Sequence, residues 1–191
     1  MKKLIDLDKW LFVKINREWA NSFFDQLMPF LRVPALWIPF YLFLFVFVII
    51  NFKKKAFPWI LMLAATASLT DLISSRIIKP GFGRLRPCNN VDMAANIRML
   101  ADYCGGNGSF TSSHAANHFG MAMFLFITLK PFCGNWCWLF FLWAAAICYA
   151  QVYVGVHFPF DVVGGALLGC ITGGFSATLF MKKFGPFNIN V

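Results

Sequence analysis

Long unbroken runs of apolar residues decide what this chain can fold into. The first, from about Ala35 to Phe52 (ALWIPFYLFLFVFVIINF), stops at the basic cluster Lys53, Lys54 and Lys55. The second covers about Phe57 to Ile78, the third about His114 to Thr128, and the fourth about Trp136 to Val154. The fifth runs from about Phe160 to Met181 and is closed by Lys182 and Lys183. Most of these runs are long enough to cross a hydrocarbon core of about 30 Å at about 1.5 Å per residue. In lipid the backbone must satisfy itself, so such runs are expected as helices. Charged residues make up only 13% of the chain, against about 25% in soluble domains, and mean hydropathy is +0.65. The expected fold is an all-α, polytopic membrane bundle of about five transmembrane helices, one domain over residues 1–191.

The segment before these runs, about Lys9 to Arg32, mixes Trp and Phe with charges at nearly every turn. That pattern suits an N-terminal amphipathic helix at the membrane interface. It lacks the charged start, short apolar core and small-residue cleavage site of a signal peptide. Net charge is +9, which in a soluble protein would raise the question of nucleic acid. Here the basic residues cluster at the ends of the runs, where they set orientation and meet anionic headgroups, so membrane lipids and not nucleic acid are the expected partners. Lys53 to Lys55, Lys130, and Lys182 with Lys183 fall on one face if five spans alternate. That face is expected to be cytoplasmic. The opposite, extracytoplasmic face then carries the longest connection, about Lys79 to Ser113, and the short turn around His157.

Those two outer connections hold the polar chemistry. Lys79, Arg84 and Arg86 converge in KPGFGRLRPC, where Pro80 is expected to end the second helix and leave Lys79 at its tip. Arg offers a planar fork of donors and Lys a point charge, which suits an oxyanion. The same connection ends in GSFTSSHAANHFG, where Thr111, Ser112 and Ser113 can cap the third helix. A helix N-terminus presents free N–H groups to an anion, and His114 stands at that rim. In VYVGVHFPFDVVGG, His157 precedes Pro159, a natural first helical residue, and Asp161 follows the histidine by four. A carboxylate at that spacing can accept from one ring nitrogen and leave the other free to attack.

Together these stretches resemble the signature of the type 2 phosphatidic acid phosphatase family, which shares its site architecture with the vanadium haloperoxidases. Lys, six residues, Arg-Pro is matched by Lys79 and Arg86-Pro87. Pro-Ser-Gly-His falls on Thr111-Ser112-Ser113-His114, keeping the serine and histidine but not the proline and glycine. Ser-Arg, five residues, His, three residues, Asp falls on Ala150-Gln151, His157 and Asp161, with the spacing kept and the serine and arginine absent. The resemblance covers roughly Leu61 to Cys170.

The resemblance implies hydrolysis of a lipid phosphate in the bilayer without metal or cofactor. His157 would attack phosphorus, Asp161 would fix its tautomer, and His114 would protonate the leaving oxygen and later activate water. Lys79, Arg86 and the amides near Ser112 and Ser113 would hold the equatorial oxygens. At Gln151 an amide replaces the family arginine; Arg84 is the leading candidate to replace its charge.

Two other readings remain open. Without that arginine the chain would be a lipid-phosphate binder that lost turnover. Alternatively His118, one helical turn after His114, would join His157 and Asp161 in a zinc site. Otherwise His118 lines the pocket or bonds a neighbouring helix. Asp71 within the second span has Arg76 and nearby hydroxyls as partners, and Asn117 would help shape a pocket floor. Cys88 and Cys104 both fall in the outer connection, where a disulfide would close a loop of about 15 residues.

Overall fold

The computed structural model describes residues 2–93, 95–106 and 108–187. Among these the protein is all helix and turn, with no strand. Two N-terminal helices, α1 (Lys2–Val13) and α2 (Ser22–Leu31), precede α3 (Ile38–Phe52) and α4 (Ala56–Leu72). After α4 a π-helical stretch, Ile73–Ile78, leads into the short α5 (Lys79–Phe82). Three long helices follow: α6 (Ser113–Cys133), α7 (Trp138–Tyr153) and α8 (Pro159–Phe184). Three stretches are long and apolar enough to cross a membrane: Pro34–Met93, Ser113–Tyr153 and Pro159–Phe184. The first two are interrupted by tight turns, at Lys53, whose φ is 45°, and at Gly134, whose φ is 53°.

Pro80 does not end the second apolar run, contrary to expectation. A proline removes one donor from the helical ladder, but here it follows a π-helical stretch, where the ladder's spacing has already changed. The helix therefore continues to Phe82 and stops at Gly83 in the left-handed conformation, φ 56°. Lys79 is consequently buried and not at an exposed tip.

Residues 9–32 form parts of two helices, not a single one, and do more than lie at an interface. Phe12, Asp8 and Asn16 are buried, and Phe12 and Met28 share a core cluster with Tyr153 and Phe158. Asn16 donates through Nδ2 to the carbonyls of Arg98 (2.8 Å) and Tyr153 (2.7 Å) and accepts from the Arg98 amide at 2.7 Å. Arg98 in turn meets Asp25 at 2.6 Å. A second cluster, at the opposite end, gathers Trp59, Phe124, Leu129 and Phe180, with Trp59 Nε1 donating to Thr128 Oγ1 at 3.0 Å. Lys55 donates to the Pro186 carbonyl at 2.8 Å, so the basic clusters after α3 and α8 do share one end of the bundle.

Helices α6 and α8 touch backbone to backbone. Gly165, Gly169 and Gly173 recur every four residues and so share one face of α8. A Cβ at these positions would lie 2.4 Å from the Ser112 carbonyl, 2.3 Å from that of Ala116 and 2.2 Å from that of Gly120, respectively. In lipid, where burial of apolar surface gives little driving force between helices, such close approach supplies the packing. Gly169→Ala is therefore expected to destabilise the protein by about 1–3 kcal/mol or more through overpacking. Gly174→Ala is the control, since its Cβ would meet nothing nearer than Met123 Cγ at 3.8 Å. Equal thermal unfolding temperatures for the two variants in detergent would refute the backbone contact.

Candidate active site

The α6–α8 contact sets the site, because it lays the start of one helix against the start of the other. Ser112 caps α6 by accepting from the Ala115 amide at 3.4 Å, and donates its own amide to the Asp161 carbonyl at 2.9 Å. Asp161 caps α8 in turn: Oδ2 accepts from the Phe158 amide at 2.9 Å. His157 lies in the turn between α7 and α8, where its amide and that of Val156 donate to the Gln151 carbonyl at 3.3 and 3.1 Å.

The long outer connection folds back on itself around this point. Ser109 donates its amide to the Arg84 carbonyl at 2.7 Å, and Cys88 and Cys104 are joined as a disulfide with Cα atoms 6.0 Å apart. Gly105 leaves room for the Arg86 guanidinium, whose Cζ would lie 3.1 Å from a Cβ there.

His157 is buried, and its two ring nitrogens face different surroundings. Nε2 lies 3.3 Å from Arg86 Nη1. Nδ1 is 3.7 Å from Asp161 Oδ2, too far for a direct hydrogen bond. Ser109 Oγ fills the gap, 3.4 Å from Nδ1 and donating to Asp161 Oδ2 at 2.5 Å. Burial, and then the neighbouring Arg86 and Lys79 charges, outweigh the Asp161 carboxylate and hold the imidazole's pKa down to about 4. At neutral pH it is therefore uncharged, with a lone pair to offer.

A cavity of about 860 Å³ opens beside these residues, lined among others by Lys79, Arg84, Arg86 and Ser113. Lys79 Nζ donates to Ser113 Oγ at 2.9 Å, and Ser113 Oγ also meets Ser74 Oγ at 2.9 Å. Asp71 and Arg76 line the same cavity. His114 lines a second cavity of about 310 Å³, with Arg32, Tyr103 and Asp102 among its walls.

Several candidate residues are placed differently from the sequence expectation. The Ser112 amide is engaged by Asp161, so Ser112 ties the helices together and does not present that amide to an anion. Arg84 lines the large cavity, but its guanidinium is held by Asp161 Oδ1 at 2.7 Å and Asp8 Oδ2 at 2.5 Å, 4.3 Å above the Phe158 ring. Gln151 is fully buried and does not line the Lys79 cavity. His118 donates Nδ1 to the His114 carbonyl at 2.8 Å and packs edge-on against Trp143 at 5.1 Å. Among the described residues no group of three His, Cys, Asp or Glu is placed to hold a metal ion. Asn117 accepts from Thr70 at 2.6 Å, a link between α4 and α6.

Ser109 and Asp8 were missed by sequence reasoning. Ser109 stands within the stretch that drew attention to His114, but only the folded loop brings it between His157 and Asp161. Asp8 stands just before the segment expected as an amphipathic helix, where no local pattern singles it out.

The residues matched to the PAP2 superfamily are 55–184. The chain is 32% identical over 180 residues to a lipid A 4'-phosphatase of Bacteroides thetaiotaomicron, covering 93% of this chain and 76% of the relative. Its fold is similar to the crystal structure of Aquifex aeolicus LpxE, with TM-score 0.63 and 28% identity over 90% of this chain and 95% of that one. It is also similar in fold to a transmembrane PAP2-type phosphatidylglycerolphosphate phosphatase from Bacillus subtilis, with TM-score 0.67 and 20% identity over 98% and 90% of the two chains. Carrying the lysine, arginine, paired histidines and aspartate of the signature on a helical membrane fold, and matched over most of its length, the chain belongs to the PAP2 superfamily.

Proposed function

We propose that the protein is a multi-pass membrane phosphatase that removes phosphate from a glycolipid phosphomonoester of the lipid A type, by way of a phosphohistidine. The observation that carries this is the orientation of His157: Nδ1 toward Ser109 and Asp161, Nε2 toward Arg86 at the phosphate cavity. The similarity to a lipid A 4'-phosphatase, over 93% of this chain and 76% of the relative, supports the choice of lipid.

In the first step the Nε2 lone pair of His157 attacks phosphorus and the bond to the lipid oxygen breaks. His114 gives that oxygen its proton, so the lipid leaves as an alcohol. In the second step His114 takes a proton from water, the water oxygen attacks the phosphohistidine, and the P–N bond breaks to release phosphate. Asp161, through Ser109, favours the tautomer that keeps Nε2 unprotonated. Lys79 and Arg86 meet the charge of the transferring group, the electrostatic contribution that dominates phosphoryl transfer. No step calls on a metal. The oxidised Cys88–Cys104 pair and the basic end opposite it support an active site on the extracytoplasmic face.

Gln151 has a place in this reading. Both of its side-chain amide atoms are buried without a hydrogen-bond partner among the described residues. An orphaned buried polar group costs about 1–3 kcal/mol, which a phosphoryl oxygen accepting from Nε2 would offset. Gln151→Leu should therefore raise the unfolding temperature of the free protein while lowering kcat/KM about tenfold or more. A variant that is stabilised yet fully active would remove Gln151 from the phosphate site.

The main test is phosphate release from purified protein in detergent, with lipid A, phosphatidylglycerol phosphate and an isoprenoid diphosphate compared. Lipid A should be the best substrate, and His157→Ala should abolish release while the protein stays folded. Release that persists in His157→Ala would overturn the nucleophile assignment. Retained activity with a chelator present is expected; loss would favour a metal enzyme. The absence of any release would favour the binder.

The acid limb of kcat/KM should lie near pH 4 and not near 6.5, because the His157 lone pair disappears only as pH falls through about 4. Below that point the rate should drop tenfold per pH unit. An acid limb at the ordinary histidine value would show that His157 is not the group titrating.

A further inference from the structure

Arg84 is one of three cations in the phosphate-facing stretch, yet it is held by two carboxylates. One of them, Asp161, belongs to the site already described. The other, Asp8, comes from α1, 76 residues earlier in the chain. Asp8 is 1% exposed. Its two oxygens are both engaged: Oδ2 by Arg84 at 2.5 Å and Oδ1 by the Phe160 amide at 2.8 Å, in the first turn of α8. Arg84 therefore reaches α1 with one arm of its fork and Asp161 with the other, stacked on Phe158 between them.

We propose that Asp8 is a positioning residue of the active site, acting through Arg84 on the Asp161 carboxylate. The inference rests on His157 being the nucleophile, as proposed above. A carboxylate has two oxygens and is free to rotate unless both are tied. Oδ1 of Asp161 is tied by Arg84; Oδ2 is thereby turned to Ser109 and the Phe158 amide, the side on which His157 Nδ1 lies. Arginine suits this task because its planar fork fixes the direction of both contacts at once.

Asp8 also has a second effect, on the cation itself. Arg84 lines the same cavity as Lys79 and Arg86, and about a quarter of its side chain, 26%, is exposed. With Asp8 neutralised, the arm that Asp8 held is released toward that cavity, where an anionic ligand would meet a third cation. The lost charge then acts in opposite directions on two measurable quantities. Ground-state anion binding strengthens, because a cation is added, while turnover weakens, because Asp161 no longer has a fixed direction. A residue that merely supports the fold would move both the same way, with the folded fraction.

Asp8→Asn isolates the effect, since the amide oxygen can still accept from the Phe160 amide while the charge is lost. The experiment measures kcat and KM with lipid A, and orthovanadate affinity from its protection against thermal unfolding in detergent. In Asp8→Asn, kcat should fall at least tenfold with KM no higher, and orthovanadate should bind at least threefold tighter. That tightening should vanish in the double variant Asp8→Asn, Arg84→Gln, and Asp8→Glu should recover part of kcat. Wild-type values of both kcat and orthovanadate affinity in Asp8→Asn would overturn the proposal, as would losses of both in step with unfolding. If Asp8→Asn does not fold, Arg84→Lys asks the same question by keeping the charge and removing the fork; unchanged kcat there overturns the proposal too. If the wild-type protein releases no phosphate from any lipid, the proposed function fails, and the orthovanadate measurements alone decide the role of Asp8.

Discussion

The approach of α8 to α6 at backbone distance is the constraint on which the rest of the site depends. Three glycines on one face of α8 leave no room for even a methyl group against the carbonyls of Ser112, Ala116 and Gly120. The same contact brings the Ser112 amide within hydrogen-bond reach of the Asp161 carbonyl. Two helix starts, each capped by its own polar side chain, are thus held in one register. Side chains of ordinary size between these helices would push apart the two segments that carry His114 and His157. The glycines thus set the geometry of the candidate site although none of them supplies a polar side chain to it.

Around that contact the charges are sorted by partner. Lys79 leans on Ser113, Arg86 faces the His157 ring, and Arg84 is divided between two carboxylates. A cluster of like charges in a partly dry site would be costly without such distribution. Two carboxylates hold Arg84 directly, and Lys79 and Arg86 line the same cavity beside it.

Much of this was legible in the sequence, for definite physical reasons. Apolar runs must be helical in lipid, so the positions of α3, α4, α6, α7 and α8 followed from run length, and Lys79, Arg86, His114, His157 and Asp161 stood out by residue type at the run ends. Local patterns could not convey what depends on long-range contact. Pro80 reads as a stop in the sequence because the π-helical stretch before it has no residue signature. Gln151 and Arg84 group with the phosphate ligands by their neighbours in sequence, but their surroundings come from long-range contact: the register of α7 buries the first without a side-chain partner among the described residues, and two carboxylates, one of them 76 residues away, hold the second. Ser109 became significant only once Asp161 proved too distant from His157 for a direct bond. The N-terminal segment read as an interfacial helix because its charges recur too often for a core, yet Asp8 and Asn16 are buried with their partners.

The link from Asp8 to Arg84 to Asp161 joins α1 to α8, the first and last of the described helices. During synthesis α1 leaves the ribosome well before Arg84, and Arg84 well before α8 exists. Until α8 is inserted, the arginine has no carboxylate from that helix and the turn that carries His157 has not been made. Assembly of the site therefore waits on α8, and the earlier helices alone leave it incomplete however soon they reach the membrane.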